Sequence, residues 1–181
     1  MAEAIARGFV IVSGAPGAGK STLAAPLARA LGLPLFGKDM LKETLHDHIP
    51  SAEARAAWSK VLGGASMELI WTLAANAPAA VLEADFRPGS DYERGRLTAL
   101  AAPLVEVYCR CSPALAAERY AARHAGRHPA HVSGTISLEA LAEFDRPLAL
   151  SPVIEVDTSG GVDIPALADS VRAAFGQTSP A

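Results

Sequence analysis

Short runs of β-branched and aliphatic residues alternate with longer stretches of helix-forming residues along the whole chain. Phe9-Val10-Ile11-Val12-Ser13 predicts a first strand that stops at a glycine, and Ser21 to Leu31 predicts the helix after it. Leu33 to Gly37 reads as a second strand. Helical composition follows over Met40 to His48 and again over Ser51 to Asn76, with Pro50 separating the two. A third strand over Ala79 to Ala84 is bounded by Pro78 and by Arg87-Pro88-Gly89-Ser90, and a helix from about Asp91 to Ala101 comes next. Leu104 to Cys109 predicts the fourth strand. It gives way at Ser112-Pro113 to a helix with serine at the cap and proline in the first turn. Pro152 to Asp157 is the fifth strand, and Ile164 to Phe175 a closing amphipathic helix.

Strands that alternate with helices imply right-handed parallel crossovers and a sheet covered on both faces, so the fold class is α/β. Arg123 to Thr135 interrupts the pattern. It is rich in Arg, His and Gly, poor in aliphatics, and predicts an exposed excursion before a short helix at Leu138 to Phe144. Residues from Gln177 onward read as a loose tail, which leaves 1–176 as one domain.

Composition narrows the partners. The 181 residues suffice for one hydrophobic core, and with 50% hydrophobic and 19% charged side chains the chain reads as a packed globule. A net charge of -3 lacks the basic excess of a general nucleic-acid binder, which favours a small substrate. Met1 to Arg7 carries Glu3 and runs straight toward the first strand, so no cleavable leader is expected; no apolar run reaches membrane-spanning length. A cytoplasmic protein is the expectation, with a homodimer open to it. Cys109 and Cys111 lie two apart in a strand-like stretch, share a face, and are expected as ordinary core thiols.

The chemistry begins at Gly14-Ala15-Pro16-Gly17-Ala18-Gly19-Lys20-Ser21, followed by Thr22, which fills every required position of G-x-x-x-x-G-K-[ST] between a strand and a helix. Glycines there let successive N–H groups turn inward around phosphate oxygens, and the helix adds its positive end. Lys20 is expected to reach the β and γ phosphates, and Ser21 to offer its hydroxyl to Mg²⁺. No Asn-Lys-x-Asp element supports guanine specificity, and the chain has no room for the coupling helices of a motor ATPase. An ATP-dependent kinase becomes the leading expectation.

A kinase needs a carboxylate beside the acceptor hydroxyl, and Asp39, after the second strand, is the candidate; the other reading is an aspartate capping the next helix. Lys38 either meets an anionic substrate or is solvated. Glu83 and Asp85 flank Ala84 at the end of the third strand and can face one side, toward Mg²⁺ or substrate. Arg87 and Arg94 are candidates for substrate contact, with a solvated helix face as the alternative for Arg94. Arg119, Arg123 and Arg127 recur every four residues and would form one basic stripe on a continuing helix, suited to charge that redistributes over phosphate oxygens. His124, His128 and His131 suggest a metal cluster on paper, without a Cys or acidic ligand beside them. Met40 to Asn76, with Trp58, Met67 and Trp71, either builds the acceptor pocket or is plain core.

The order of P-loop, Lys38-Asp39, Glu83-Ala84-Asp85-Phe86, Arg127-His128-Pro129 and Val156-Asp157-Thr158 resembles the small P-loop kinases of the AAA-33 or zeta-toxin-like group. That group is itself similar to chloramphenicol phosphotransferase, gluconate kinase and polynucleotide kinase domains. The resemblance covers Phe9 to Phe175. It implies a three-layer P-loop NTPase fold with a five-stranded parallel sheet in the order 2-3-1-4-5 and an Arg-rich lid at about 119–136. It also implies Asp39 as base, Arg119, Arg123 and Arg127 on the phosphates, and the loop from Asp157 to Gly161, with Thr158, near the adenine. Polynucleotide kinases carry Asp-x-Asn after the third strand, whereas this chain has Glu83-Ala84-Asp85. The departure speaks for a small metabolite or antibiotic over a nucleic-acid 5′-hydroxyl; a nucleotide-binding regulatory or toxin-like module is the third reading.

Overall fold

A computed structural model describes residues 5–52, 54–123, 126–132 and 134–178. In chain order the elements are β1 (Gly8–Gly14), α1 (Lys20–Leu31), β2 (Leu35–Gly37), α2 (Lys38–His48), α3 (Arg55–Ala75), β3 (Ala79–Glu83) and α4 (Asp91–Ala99). They continue with β4 (Leu104–Arg110), α5 (Pro113–Ala122), α6 (Leu138–Ala142), β5 (Val153–Asp157) and α7 (Ile164–Thr178). Every strand pair is parallel, and the order is β2-β3-β1-β4-β5. This is the sheet the resemblance implied.

β1 and β3 are buried at every position, as strands covered on two faces must be. Alternation along β1 divides the core. Val10 and Val12 pack with Leu27 of α1 and Val171 and Phe175 of α7, whereas Phe9 and Ile11 join Ile70 and Trp71 of α3 and Leu97 of α4. Cys109 is buried in the first of these clusters, Cys111 packs against it half-buried, and neither is bonded to another cysteine. No described helix is long and apolar enough to cross a membrane.

Several boundaries differ from the sequence expectation, each for a local reason. β2 starts at Leu35 because Gly32, left-handed at φ 70°, ends α1 and the Leu33 amide donates to the Ala28 carbonyl. α2 begins at Lys38 with Gly37 at its cap, so Asp39 stands inside the first turn and does not cap the helix. α3 begins at Arg55. β3 ends at Glu83, one residue early, and β4 runs one residue late to Arg110. α4 stops at Ala99, before Ala101 turns to a φ of 47°. α6 ends at Ala142, two residues short, with Glu143 as its cap. α7 runs through Gln177 to Thr178, so the expected tail is helical there, and residues 179–181 lie outside the described set.

α5 does begin as predicted, with the Ser112 hydroxyl accepting from Leu115 N–H and proline in the first turn, but it ends at Ala122 with Arg123 as its cap. Arg119, Arg123 and Arg127 therefore do not form one helical stripe. The excursion after it is not free either. Ala130 and His131 are buried, Ser59 Oγ donates to the Ala130 carbonyl at 2.7 Å, and Arg55 donates to the carbonyls of Pro129 and His131 at 3.1 and 3.0 Å. Residues 126–132 are thus docked on α2 and α3 by polar contacts, which a count of aliphatics does not register.

Glu106 is the polar knot of the sheet. Only 1% exposed, its carboxyl accepts from Ser13 Oγ at 2.5 Å and from the Leu148 and Ala149 amides at 2.8 and 2.9 Å. Two successive N–H groups thus converge on one carboxyl, and Ala149 itself stands at a φ of 54°. Glu106→Ala would leave the Ser13 hydroxyl and the Leu148 amide buried without this partner, and is expected to lower the unfolding free energy by about 3 kcal/mol. Urea denaturation of the two proteins measures this.

Candidate active site

The chemistry-bearing residues converge on the carboxyl edge of the sheet, where parallel α/β folds bind their ligands. β1 ends in the P-loop. A β-carbon at Gly17, whose φ is 87°, would overlap the Ala116 carbonyl oxygen, and one at Gly14 would overlap that of Cys109. Glycine at these positions lets the loop lie directly on α5 and β4.

Lys20 opens α1 and is only 6% exposed. Its ammonium donates to the carbonyls of Gly14 and Ala15 at 2.9 and 2.8 Å and pairs with Asp85 at 2.7 Å. Ser21 Oγ donates to Glu83 Oε1 at 3.1 Å. In the sheet register Glu83 lies between Gly37 of β2 and Val12 of β1, which places its carboxyl at the mouth of the loop.

The two carboxylates are pushed apart in acidity. Burial, with Asp85 and Asp39 nearby, pushes Glu83 up to about 7 against the pull of Lys20 and Ser21. Burial also works against ionised Asp85, but the Lys20 ammonium, with Lys38 and Arg127, outweighs it and holds its carboxyl below the usual aspartate range. One carboxyl is firmly charged; the other exchanges its proton near neutrality.

One cavity unites most of the predicted residues: Pro16, Gly17, Gly19, Lys20 and Ser21 with Lys38, Asp39, Glu83, Asp85, Arg123 and Arg127. Asp39, 44% exposed, faces Arg127 at 3.6 Å. Tyr120, not singled out in the sequence, lines the same cavity and lies under the Arg127 guanidinium at 4.9 Å. On the other side of α1 a second cavity is lined by Gly19, Thr22, Arg119, Arg123, Thr158 and Gly160. There Arg119 donates to the carbonyls of Thr158 and Ser159 at 2.9 and 3.2 Å, and Thr158 Oγ1 reaches the Ala18 carbonyl at 2.7 Å. Ala15 and Ala18 of the P-loop also line a third cavity, which they share with Asp157; Asp157 accepts from Ser159 N–H at 2.8 Å.

Arg87 turns outward, its Nε 3.4 Å from Glu143, and shares with Asp85, Lys38 and Asp39 the rim of a further cavity beside α2 and α3. Met67 lines that cavity, while Trp71 is core against Phe86. Lys42, Glu43 and Ser59 are further residues of this region, and no motif in the sequence marks them. The only sequence signal for Lys42 is its position three residues after Asp39, on the same helical face.

The histidines separate. His124 lies outside the described residues, and His131 Nε2 meets Glu43 at 2.9 Å. His128 joins His46 and Asp47, with ligand atoms within 4.8 Å of one another, so an acidic neighbour does accompany it, from α2. Its Nδ1 accepts from Ala130 N–H at 3.1 Å, which leaves the proton of the neutral ring on Nε2, donated to Asp47 at 3.0 Å. A metal-bound imidazole needs the opposite arrangement, with the second nitrogen donating.

The model of the AAA_33 family, an AAA domain, matches residues 9–147. The chain belongs to the AAA_33 family. The match runs from β1 past α6 and takes in the whole of the first cavity. Among solved structures, this AAA_33 chain is similar to a protein from Chloroflexus aurantiacus j-10-fl assigned, without a named substrate, as a kinase: 28% identity, TM-score 0.78, covering 93% of this chain and 98% of that one. It shares its fold with a gluconokinase from Sinorhizobium meliloti 1021 (18% identity, TM-score 0.61, 98% and 100% covered). A shikimate kinase from Acinetobacter baumannii in complex with shikimate has the same fold (16% identity, TM-score 0.61, 96% of each chain). No curated protein matches the sequence. The fold is that of the small P-loop kinases.

Glu83 sets a pH dependence. Its proton is held more tightly in the folded protein, at about 7, than at the ordinary 4.5. The stability this contributes is complete below 4.5 and lost as pH rises through 7, on the order of 3 kcal/mol in all. Urea midpoints of the nucleotide-free protein should fall between pH 5 and pH 8, and Glu83→Gln should flatten the fall.

Proposed function

We propose that this AAA_33 protein is an ATP- and Mg²⁺-dependent kinase that phosphorylates a hydroxyl of a small molecule. The observation that carries the reading is a single cavity lined by P-loop residues, Asp39, Glu83 at the end of β3, Asp85 just after it, and two arginines. Fold relatives named as gluconokinase and shikimate kinase support a small acceptor.

In the reaction the acceptor oxygen bonds to the γ-phosphorus while the bond to the bridging oxygen breaks and ADP leaves; the hydroxyl proton passes to the Asp39 carboxylate. Lys20 exchanges the Gly14 and Ala15 carbonyls for phosphate oxygens, remaining beside Asp85. Arg127, 3.6 Å from Asp39, and Arg123 supply guanidinium donors to the transferring group. Arg119 and Thr158 line the second cavity, assigned to the nucleoside. The Ser21 hydroxyl and the Glu83 carboxylate, 3.1 Å apart, are the hard oxygen donors that suit Mg²⁺, with Asp85 toward the acceptor. When bound, the ion neutralises charge on the phosphates. The lid, about 119–136, excludes water, which would otherwise take the phosphoryl group.

ADP release stimulated by an acceptor from a panel of sugars, nucleosides and aminoglycosides tests the activity. Asp39→Asn should lower kcat by about 10²- to 10⁴-fold with nucleotide affinity retained, and Lys20→Ala should abolish turnover. Full turnover in Asp39→Asn would remove the base assignment. Label transferred from ATP to an oligonucleotide end would make the acceptor a nucleic acid.

A further inference from the structure

The cavity beside α2 and α3 has an uneven charge account. Of the acids around it, Asp39 is engaged by Arg127, Glu43 by His131, Asp85 by Lys20 and Glu68 by Arg96, while buried Glu93 accepts from the Arg87 backbone N–H and is held above the ordinary glutamate range by its burial. Lys38, Lys42 and Lys60 line the same cavity, and none has an ion-pair partner among the described residues.

Lys42 is the informative one. It is half-buried, and its ammonium is positioned by Ser59 Oγ, which accepts from it at 2.8 Å while spending its own proton on the Ala130 carbonyl. That leaves two of three N–H donors unassigned. Burial pushes Lys42 below the ordinary lysine range, and Lys38 and Arg127 push it the same way against the opposing pull of Asp39 and Asp85. A cation partly withdrawn from water without a counter-charge is costly, and an anion entering the cavity removes that cost. Lys42 follows Asp39 by three residues on α2, so the two share a face with β-carbons roughly 5–6 Å apart.

We propose that the acceptor is an anionic alcohol whose carboxylate or phosphate ester lies against Lys42 and Lys38, about one helical turn from the hydroxyl that meets Asp39. This rests on the kinase reading and narrows it to hydroxy acids and phosphorylated alcohols. Lys42 is then a specificity-determining residue, reading charge at a fixed distance from the reacting oxygen.

Matched probes test it: D-gluconate against D-glucitol, and D-glycerate and glycerol 3-phosphate against glycerol. Each is titrated calorimetrically into the wild type, Lys42→Met and Lys42→Arg, with ADP release measured in parallel. At least one anion should bind at least about 10-fold tighter than its neutral partner. Lys42→Met should raise its Kd and KM by about 10- to 100-fold with a much smaller change in kcat, and Lys42→Arg should recover most of the loss. The stronger of glycerate and glycerol 3-phosphate identifies the anion. Neutral probes that bind as well as their acids, no anion of the set binding, or an unchanged Kd in Lys42→Met would each overturn the inference. The two readings fail separately: neutral alcohols turned over equally well keep the kinase and remove the anion site, whereas Lys42-dependent anion binding without ADP release does the reverse.

Discussion

The ammonium of Lys20 is almost out of water and meets three acceptors, the carbonyls of Gly14 and Ala15 and the carboxylate of Asp85. A lone buried charge would cost several kcal/mol, so those acceptors must be in place whenever the loop is. The requirement reaches across the fold. Gly14 and Ala15 are fixed by β1 and by the close approach to β4 that glycine allows, and Asp85 by β3 alongside β1. Asp85 is held charged by the same contact, and its charge in turn helps keep the proton on Glu83. A phosphate group arriving in the loop would compete for the ammonium and alter the acidity of both carboxyls.

The sheet and the donor side were legible in the sequence because both depend on local signals. A β-branched run closed by a glycine announces a strand that must turn, and the P-loop pattern demands its residues in consecutive positions. Lys38-Asp39 and Glu83-Ala84-Asp85 could be placed at strand ends for the same reason. The cap at Gly37 carries no sequence signal of its own, because Asp39 is itself a common cap residue and only the backbone shows that α2 has already begun at Lys38.

The acceptor side was not legible, since its contacts join distant parts of the chain through polar groups. Asp39, Glu43 and Asp47 lie four residues apart along α2 and meet Arg127, His131 and His128, more than eighty residues later in the sequence. Low aliphatic content made 123–135 look exposed, although Ser59 and Arg55 hold its carbonyls as firmly as an apolar contact would. Where α5 stops could not be read, because Arg123 is as good a helix former as the residues before it. The arginine spacing therefore suggested a stripe, whereas Arg119 clasps the loop after β5 and Arg127 crosses to Asp39.

The partners of Lys20 also bear on the order in which the chain acquires its structure. β1 lies between β3 and β4 and touches neither β2 nor β5, so the strand that carries the loop finds its first neighbour some seventy residues downstream. Closing that span is entropically unfavourable until β3 is in register. Until then Asp85 is absent and the lysine keeps its hydration, so nothing draws the loop into its buried form. Charge burial at Lys20 is thus tied to the pairing of β1 with β3, and the phosphate cradle, though its residues are consecutive in the chain, owes its buried form to a strand some seventy residues away.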